Sequence, residues 1–433
     1  MAVMARKDRD SIHLGLQQHR DRVRQVVLQA PSSNLNMWLE PMNGVFPRLE
    51  VLSLLSTSST TIGENNMMLP ETLHAPELRR LVLHDIGLPN GLSLLSSTIA
   101  LSALTLTHIR PSCYFPPGCL VTQLQGLPHL EELSIGFSFP IPPSSEGELL
   151  PAPIPPVTLH TLRQLTFHGE GVYLDNFVAQ INTPLLERLS LTLLFNLALT
   201  LVNLTEFFDR TKGFWCLVAQ VNFNKDGAFI DAGYHKQQGI GKISLHVNCK
   251  PLSWQIDSAA QVCSALGKVL SAVVELTLDL DVDGIPSGWE NTLDSILWHE
   301  LLLPFIGVKK LRISSSLTLE LSQALQSVTR ELALELLPEL QDLHIQPNTD
   351  RAKNALSLFV KTRESVGLPV HLLVRQCLSS EYVSSRYGLL TSPIPTHSSP
   401  LDILVMPSTD SITRGPRSVV PLTHPFLSIS ISA

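Results

Sequence analysis

The pattern with the most specific chemistry in this sequence is a run of acidic residues between Asp279 and Glu290. It matches D-x-D-x-D-G-x5-E, the spacing of the oxygen ligands in an EF-hand calcium loop, with Asp281 and Asp283 as the middle acids. An EF-hand also needs a helix before the loop, whereas residues 273–280 alternate like a strand. A calcium-dependent module on these four acids is therefore the alternative hypothesis, and no resident metal is predicted.

Three histidines follow the last apolar residue of a repeated strand pattern, so they are expected at one height on a common sheet face. They are His84, His168 and His246, and they come from repeats that are not neighbours in sequence. Because adjacent strands lie about 4.8 Å apart, these imidazoles are not expected to share one metal ion. The sequence also has no nucleophile elbow, phosphate loop or dinucleotide fingerprint. We predict that the protein is not an enzyme and has no cofactor.

The elements that would position these residues are copies of one phrase, an apolar residue followed by apolar residues three and five positions later. Residues 127–137, LPHLEELSIGF, give the clearest copy. Twelve copies occur at intervals of 22 to 35 residues, which is typical of leucine-rich repeats. The copies begin at Val23, Leu49, Leu78, Leu101, Leu130, Leu162, Leu186, Val218, Ile240, Val273, Val308 and Leu340.

Each copy alternates apolar and polar residues, which predicts a strand with one buried face. One such strand cannot bury that face alone, so stacked copies are expected to share a core. Several intervals, such as 257–270 and 350–366, have apolar stripes typical of helices. The predicted fold class is α/β: an irregular leucine-rich-repeat solenoid, shaped as an arc, with a parallel concave sheet and helices or turns on the convex side.

Three segments are predicted along the chain. Residues 1–22 form a helical lead-in, residues 23–376 the repeat array, and residues 377–433 a disordered tail rich in Ser and Pro. Inside the array, residues 225–241 are polar and contain glycine, which predicts a loop between two strands. Residues 368–374 alternate like a closing strand at the end of the array.

The polar residues between the core positions are expected to face a partner on the concave surface. Late in the array, an acidic strand lies next to a basic strand, and two interpretations remain open: a partner site, or charges that compensate each other on a solvated face. The candidate partner-binding residues are Glu132, Arg188, Glu275, Asp279, Lys310 and Arg312.

Composition narrows the class of partner and the compartment. A net charge of -7 with 16% charged residues argues against nucleic-acid binding, which needs clustered Lys and Arg. The apolar, uncharged stretch at residues 189–205 is shorter than a membrane span, and the N-terminus lacks the apolar core of a signal peptide. The six cysteines show no metal-binding spacing. We predict a cytoplasmic or nuclear protein that binds another protein and no membrane.

From residue 12 to about residue 376 the chain resembles the fungal, mushroom-type F-box/leucine-rich-repeat-like proteins. The phrases that carry the resemblance are HRDRVRQVVL at 19–28, FPRLEVLSL at 46–54, APELRRLVLHDIGLP at 75–89 and LLPELQDLHI at 336–345. The resemblance implies a non-enzymatic recognition scaffold, the substrate-binding part of an F-box-type ubiquitin-ligase receptor. Its F-box would precede this region and bind a Skp1-type adaptor.

The first 22 residues are too few for an F-box, so a Skp1-type adaptor is expected only if an F-box lies upstream of Met1. A truncated gene-model fragment without independent function is the remaining alternative.

Overall fold

One large β-sheet runs through the part of the chain that this computed structural model describes. That part comprises residues 16, 18–57, 67–88, 93–138, 155–194, 201–234, 241–281, 295–326, 335–345, 350–374 and 426–431. Within it, fifteen strands form a mostly parallel sheet and two short strands form a second sheet. The fold is therefore α/β with a large, mostly parallel sheet.

The strands of the large sheet are numbered in chain order together with the two short ones. They are β1 (Val23–Ala30), β2 (Val51–Ser56), β3 (Arg80–His84), β4 (Ala103–Ile109), β5 (Glu132–Phe137), β6 (Val157–Thr158), β7 (Gln164–Gly169), β8 (Ile181–Asn182), β9 (Arg188–Leu194), β10 (Val218–Asn224), β11 (Gly227–Gly233), β12 (Lys242–Asn248), β13 (Glu275–Leu280), β14 (Lys310–Ile313), β15 (Asp342–Ile345), β16 (His371–Val374) and β17 (Phe426–Ile431). The two short strands, β6 and β8, pair with each other.

Helices occupy many of the connections between these strands. They are α1 (Ser32–Leu39), α2 (Pro117–Leu124), α3 (Gly171–Ala179), α4 (Val202–Arg210), α5 (Leu252–Ala265), α6 (Gly267–Leu270), α7 (Ser295–Leu302), α8 (Thr318–Gln326) and α9 (Asp350–Ser365). Successive helices pack on each other, α3 on α4, α5 on α7 and α8 on α9. A parallel pair needs a crossover connection, and these segments provide it.

The repeated apolar residues form the inner side of the sheet. Leu104, Leu133 and Leu165 stand in register on β4, β5 and β7, and each is at most 1% exposed. The same ladder continues through Leu189 on β9 and Ile243 on β12. Because side chains alternate along a strand, the residues between these positions lie on the other side of the sheet.

The order of three strands differs from the expectation that copies stack in sequence order. After β9, the spatial order is β12, β11, β10 and then β13. The segment 225–241, predicted as a loop, contains β11, which pairs antiparallel with both β10 and β12. The prediction was wrong because the buried positions of β11 are Ala228, Ile230 and Ala232, and the two small alanines, with the apolar Phe229 between buried positions, give only a weak alternation.

A buried amide fastens this antiparallel insertion to the adjoining helix. Gln255 on α5 is fully buried, and its Nε2 donates to the carbonyl oxygens of Asn224, Cys249 and Lys250 at 2.8, 2.9 and 3.0 Å. These carbonyls follow the ends of β10 and β12. Since a buried carbonyl without a donor costs stability, Gln255 holds both strand ends in place.

The tail prediction needs one correction. Residues 377–425 lie outside the described part of the chain, but residues 426–431 form β17, which pairs antiparallel with β1. Residues 426–431 alternate apolar residues and serines, which fits a strand, but the alternation alone does not indicate a neighbouring strand. Of the predicted lead-in, only the last residues before β1 are described, and residues 20–22 form a turn.

The other predicted elements match closely. Segment 257–270 lies within α5 and α6, segment 350–366 corresponds to α9, and the closing strand is β16. In the described part of the chain, no helix combines the length and apolar character that crossing a bilayer requires.

Candidate partner-binding face

The side of the sheet that carries the polar alternate residues is called the open face below. A row of small hydroxyls crosses it in register, from β4 through β5, β7 and β9 to β12, and all its members are partly exposed. The members of this hydroxyl row are Thr105, Ser134, Thr166, Ser190 and Ser244. Small side chains here leave the backbone accessible and allow the larger residues on either side to reach a ligand.

The predicted partner-binding residues fall into two separate groups on this face. Glu132 on β5 and Arg188 on β9 are both exposed, and Gln164 on β7 is in register between them. The other group lies on β13 and β14, and three strands, β10, β11 and β12, separate β13 from β9 in the sheet order. The sequence predicted two of these strands, from the copies at Val218 and Ile240, but not β11.

The second group contains a direct ion pair. Arg312 Nη2 lies 2.9 Å from Glu275 Oε1, and both side chains are about one-third exposed or less. Lys310 is in register with Glu275 on one side and Asp342 on the other. Asp279 is in register with Asn222 on β10. Arg312 and Glu275 therefore neutralise each other's charge. Their ion pair adds little to the stability of the fold because both side chains remain partly solvated.

The inserted strand β11 adds residues to the open face that the sequence analysis missed. Asp231 accepts a hydrogen bond from Ser244 Oγ at 2.6 Å and lies 3.9 Å from Lys242 Nζ. Phe229 stacks on His246 with ring centroids 4.0 Å apart and planes only 7° apart. Only the strand order could have revealed these contacts, because β11 lies in the segment interpreted as a loop.

The three histidines form one line across the open face, together with a fourth that the sequence analysis did not select. These four residues, His84, His108, His168 and His246, are called the histidine row. The rings of His84 and His108 lie 4.2 Å apart between centroids, and His84 Nδ1 shares a 3.0 Å hydrogen bond with Thr107 Oγ1. Gly136 separates them from His168, so no side chain occupies that position in the row.

A backbone irregularity brings His108 into this row. The register between β4 and β5 shifts after Leu106, and His108 adopts a φ of 54°. One extra residue on β4 is therefore accommodated as a bulge, which re-aims the side chain.

Asp85, at the end of β3, has a φ of 60° and binds Arg110 through both carboxylate oxygens, Oδ2 to Nη2 at 2.6 Å. Non-glycine residues rarely adopt such angles, and they cluster at functional sites.

Desolvation favours the neutral form of three members of the histidine row, His84, His168 and His246. Desolvation is the largest cause that lowers the pKa of His84, followed by His108, while Asp85 opposes the shift. Desolvation and then His108 lower the pKa of His168. Desolvation and then His168 lower the pKa of His246, and Asp226 acts in the opposite direction. At neutral pH the imidazoles of His84, His168 and His246 therefore offer uncharged rings that both donate and accept hydrogen bonds.

The residues of the calcium-loop pattern are only partly described. Asp279 lies inside β13, and the backbone N–H of Asp281 donates to Phe223 O at 2.9 Å. Asp283 and Glu290 lie outside the described residues. The element that enters the pattern is thus a strand, as the alternation predicted, and the calcium hypothesis has no helix before its loop.

Other reactive groups are accounted for by the core. The thiols of Cys216 and Cys263 are buried, and burial raises the pKa of Cys216 to about 12. Among the described residues, no group of three or more His, Cys, Asp or Glu side chains could hold a metal ion. Comparison with known proteins gives no assignment: no protein-family model matches the chain, and no curated protein matches it.

Proposed function

We propose that this chain is a leucine-rich-repeat solenoid that recognises a protein partner on its open face and catalyses no reaction. The observation that carries this proposal is the long, mostly parallel sheet whose apolar positions are buried in register while its other face presents rows of polar, partly exposed side chains. A surface built from many equivalent strands suits an extended partner, because each repeat contributes a few contacts.

The chemistry of the open face also favours a protein over a small molecule. Its charged groups are spread over many strands, from Glu132 and Arg188 to Lys310, and hydroxyls and imidazoles lie between them. A small-molecule site would gather a few convergent groups in a deep cavity. Charged side chains at such intervals suit a protein surface of complementary charge, which sets specificity and association rate.

The test compares charge reversals on two sides of the molecule. The chain is used as bait in affinity capture, the captured protein is identified by mass spectrometry, and its dissociation constant is then measured. Arg188→Glu and Lys310→Glu each reverse a charge on the open face. Lys268→Glu is the matched control, because Lys268 on α6 pairs with Asp209 on α4 at 2.9 Å and both are well exposed.

Each open-face reversal is expected to weaken binding of the captured partner about tenfold or more, through loss of one charge contact. The control is expected to leave binding unchanged, and melting curves show whether all three variants remain folded. A partner that binds both open-face variants as tightly as the wild-type chain would place recognition elsewhere.

Within this proposal, the chain serves as the substrate-binding part of an F-box-type ubiquitin-ligase receptor in the cytoplasm or nucleus. The support is the repeat phrases in their order. Co-purification of a Skp1-type adaptor and a cullin with the full-length gene product tests this narrower statement. Their absence from a product that includes the sequence upstream of Met1 would leave only the general recognition role.

A further inference from the structure

The outer edge of β1, the first strand of the repeat array, pairs with a strand from near the other end of the sequence. On one side β1 pairs with β2 in parallel, as the repeats do. On its other side β1 pairs with β17, which runs antiparallel. In the strand order β17 follows β1 at one end, while β16, the strand that precedes β17 in the chain, lies at the opposite end. The segment that occupies the edge is therefore no repeat of the array.

The register defines what this edge accepts. Val26 and Leu28 on β1 are at most 1% exposed, and they pair with Ile429 and Leu427. Val23, which is fully buried, pairs with Ile431. The apolar positions of β17 are therefore in register with the core positions of β1. Serines 428 and 430 are in register with the more accessible positions Val27 and Gln25.

An unoccupied edge at β1 would be open to other strands. An edge strand presents a row of backbone N–H and C=O groups, and an extended peptide can add to them with its side chains selected at alternate positions. β1 supplies both parts of such a site, since it is eight residues long and its buried positions alternate from Val26 through Leu28 to Ala30, after an irregularity between Val23 and Gln25. The main-chain bonds provide affinity, and the alternate apolar positions provide selectivity.

The covalent connection between β17 and the array sets the affinity that a competing strand needs. Fifty residues, 375–424, and Pro425 separate β17 from the end of β16. A covalent connection within one chain gives β17 an effective concentration at β1 of up to roughly millimolar. A free segment at micromolar concentration therefore displaces β17 only if it binds β1 about a thousandfold more tightly than β17 does.

We propose that the outer edge of β1 is a strand-binding site for an extended segment of a partner protein, with apolar residues at three alternate positions, and that β17 is its intramolecular occupant. The site lies on the sheet edge and is independent of recognition by the open face. Binding at the edge requires release of β17, so the C-terminal strand keeps the site closed until a stronger strand is present.

The test uses the full-length chain and a fluorescein-labelled peptide with the sequence of residues 425–433, PFLSISISA. Leu427→Asp/Ile429→Asp places charges at the positions in register with buried β1 residues and is expected to release β17. Ser428→Asp/Ser430→Asp adds the same charge at the positions of opposite parity and is the matched control. Fluorescence anisotropy measures peptide binding to each chain.

The peptide is expected to bind the Leu427→Asp/Ile429→Asp chain at least tenfold more tightly than the wild-type chain or the control. Hydrogen exchange provides a second measurement: the β1 amides that point toward β17 should exchange faster in the released variant and regain protection when the peptide is added. Equal peptide affinity for all three chains, or protection that the peptide does not restore, would overturn the proposal. A wild-type dimer at low micromolar concentration would also overturn it, in favour of exchange of β17 between two copies.

Discussion

The pair Leu133 and Glu132 tests the assignment of buried and partner-facing positions at adjacent residues of β5. Leu133 is 1% exposed and stands between Leu104 and Leu165 on the neighbouring strands, whereas Glu132 is exposed and stands between Ala103 and Gln164. Replacement of each by alanine removes a comparable number of side-chain atoms. The two substitutions differ in what surrounds those atoms.

Leu133→Ala removes three carbon atoms from the core, at about 0.8 kcal/mol for each buried methylene, which gives roughly 2.4 kcal/mol. The neighbouring strands are hydrogen-bonded to β5 on both sides, so they cannot collapse fully into the space. The remaining cavity raises the expected cost to about 3–4 kcal/mol, inside the usual range of about 2–5 kcal/mol for buried leucines. Glu132→Ala is expected to change stability by less than about 0.5 kcal/mol.

Urea unfolding followed by far-ultraviolet circular dichroism gives both free energies. Because long repeat arrays can unfold in parts, hydrogen exchange of the β5 amides should accompany it, and a local loss of protection should track the Leu133 substitution. If Glu132→Ala destabilises the protein as much as Leu133→Ala, the parity of β5 is wrong and so is the assignment of the open face.

Three further predictions concern other parts of the molecule. First, folding lowers the pKa values of His84, His168 and His246, so the unfolded chain binds protons before the folded chain as the pH falls through the ordinary value of 6.5. The free energy of unfolding should therefore fall from pH 7.5 to pH 5.5. His168→Gln should reduce that pH dependence, as measured by urea titrations at each pH. Second, Gly227→Ala should cost about 2 kcal/mol or more by thermal or urea unfolding, because φ is 154° and a Cβ would lie 2.0 Å from Val247 O; Gly267→Ala, whose Cβ would meet nothing within 4 Å, should be neutral or slightly stabilising. Third, Asp175→Ala should cost about 0.5–2 kcal/mol, since its carboxylate accepts the backbone N–H of Leu204 at 3.0 Å in the first turn of α4, and an equal cost for the exposed Glu206→Ala would refute that role.

The sequence predicted the strands best where apolar residues repeat without interruption. The copies at Leu101, Leu130 and Leu162 all form strands in which the second and third apolar residues are buried, because a strand whose core positions alternate strictly has one stable register. The sequence predicted the helices at 257–270 and 350–366 equally well, since their apolar residues recur at helical spacing.

The strand order could not be read in the same way. The phrases at Val218 and Ile240 predict two parallel neighbours. In the structure β11 lies between them and pairs antiparallel with both, and such pairing depends on contacts that no local pattern reveals. The sequence analysis also missed residues of the candidate site, because their positions depend on a bulge and on the strand order. His108 has no place in the alternating pattern because it is the extra residue of a bulge, and Asp231 and Phe229 reach the open face only through β11.

The inserted hairpins at β10, β11 and β12 also constrain how the chain can acquire its structure. In a regular array each new strand finds its neighbour already formed, so structure can grow one repeat at a time. Here β10 comes before β12 in the chain but is connected to the N-terminal part of the sheet only through β11 and β12, because β12 is the strand that pairs with β9. Growth from the N-terminal repeats must therefore wait at β9 until residues up to 248 are available. The three strands then join as a unit, and β13, whose partner is β10, becomes continuous with the N-terminal repeats only through that step. We expect folding of this protein to pause at this boundary, with the repeats on either side forming separate early units.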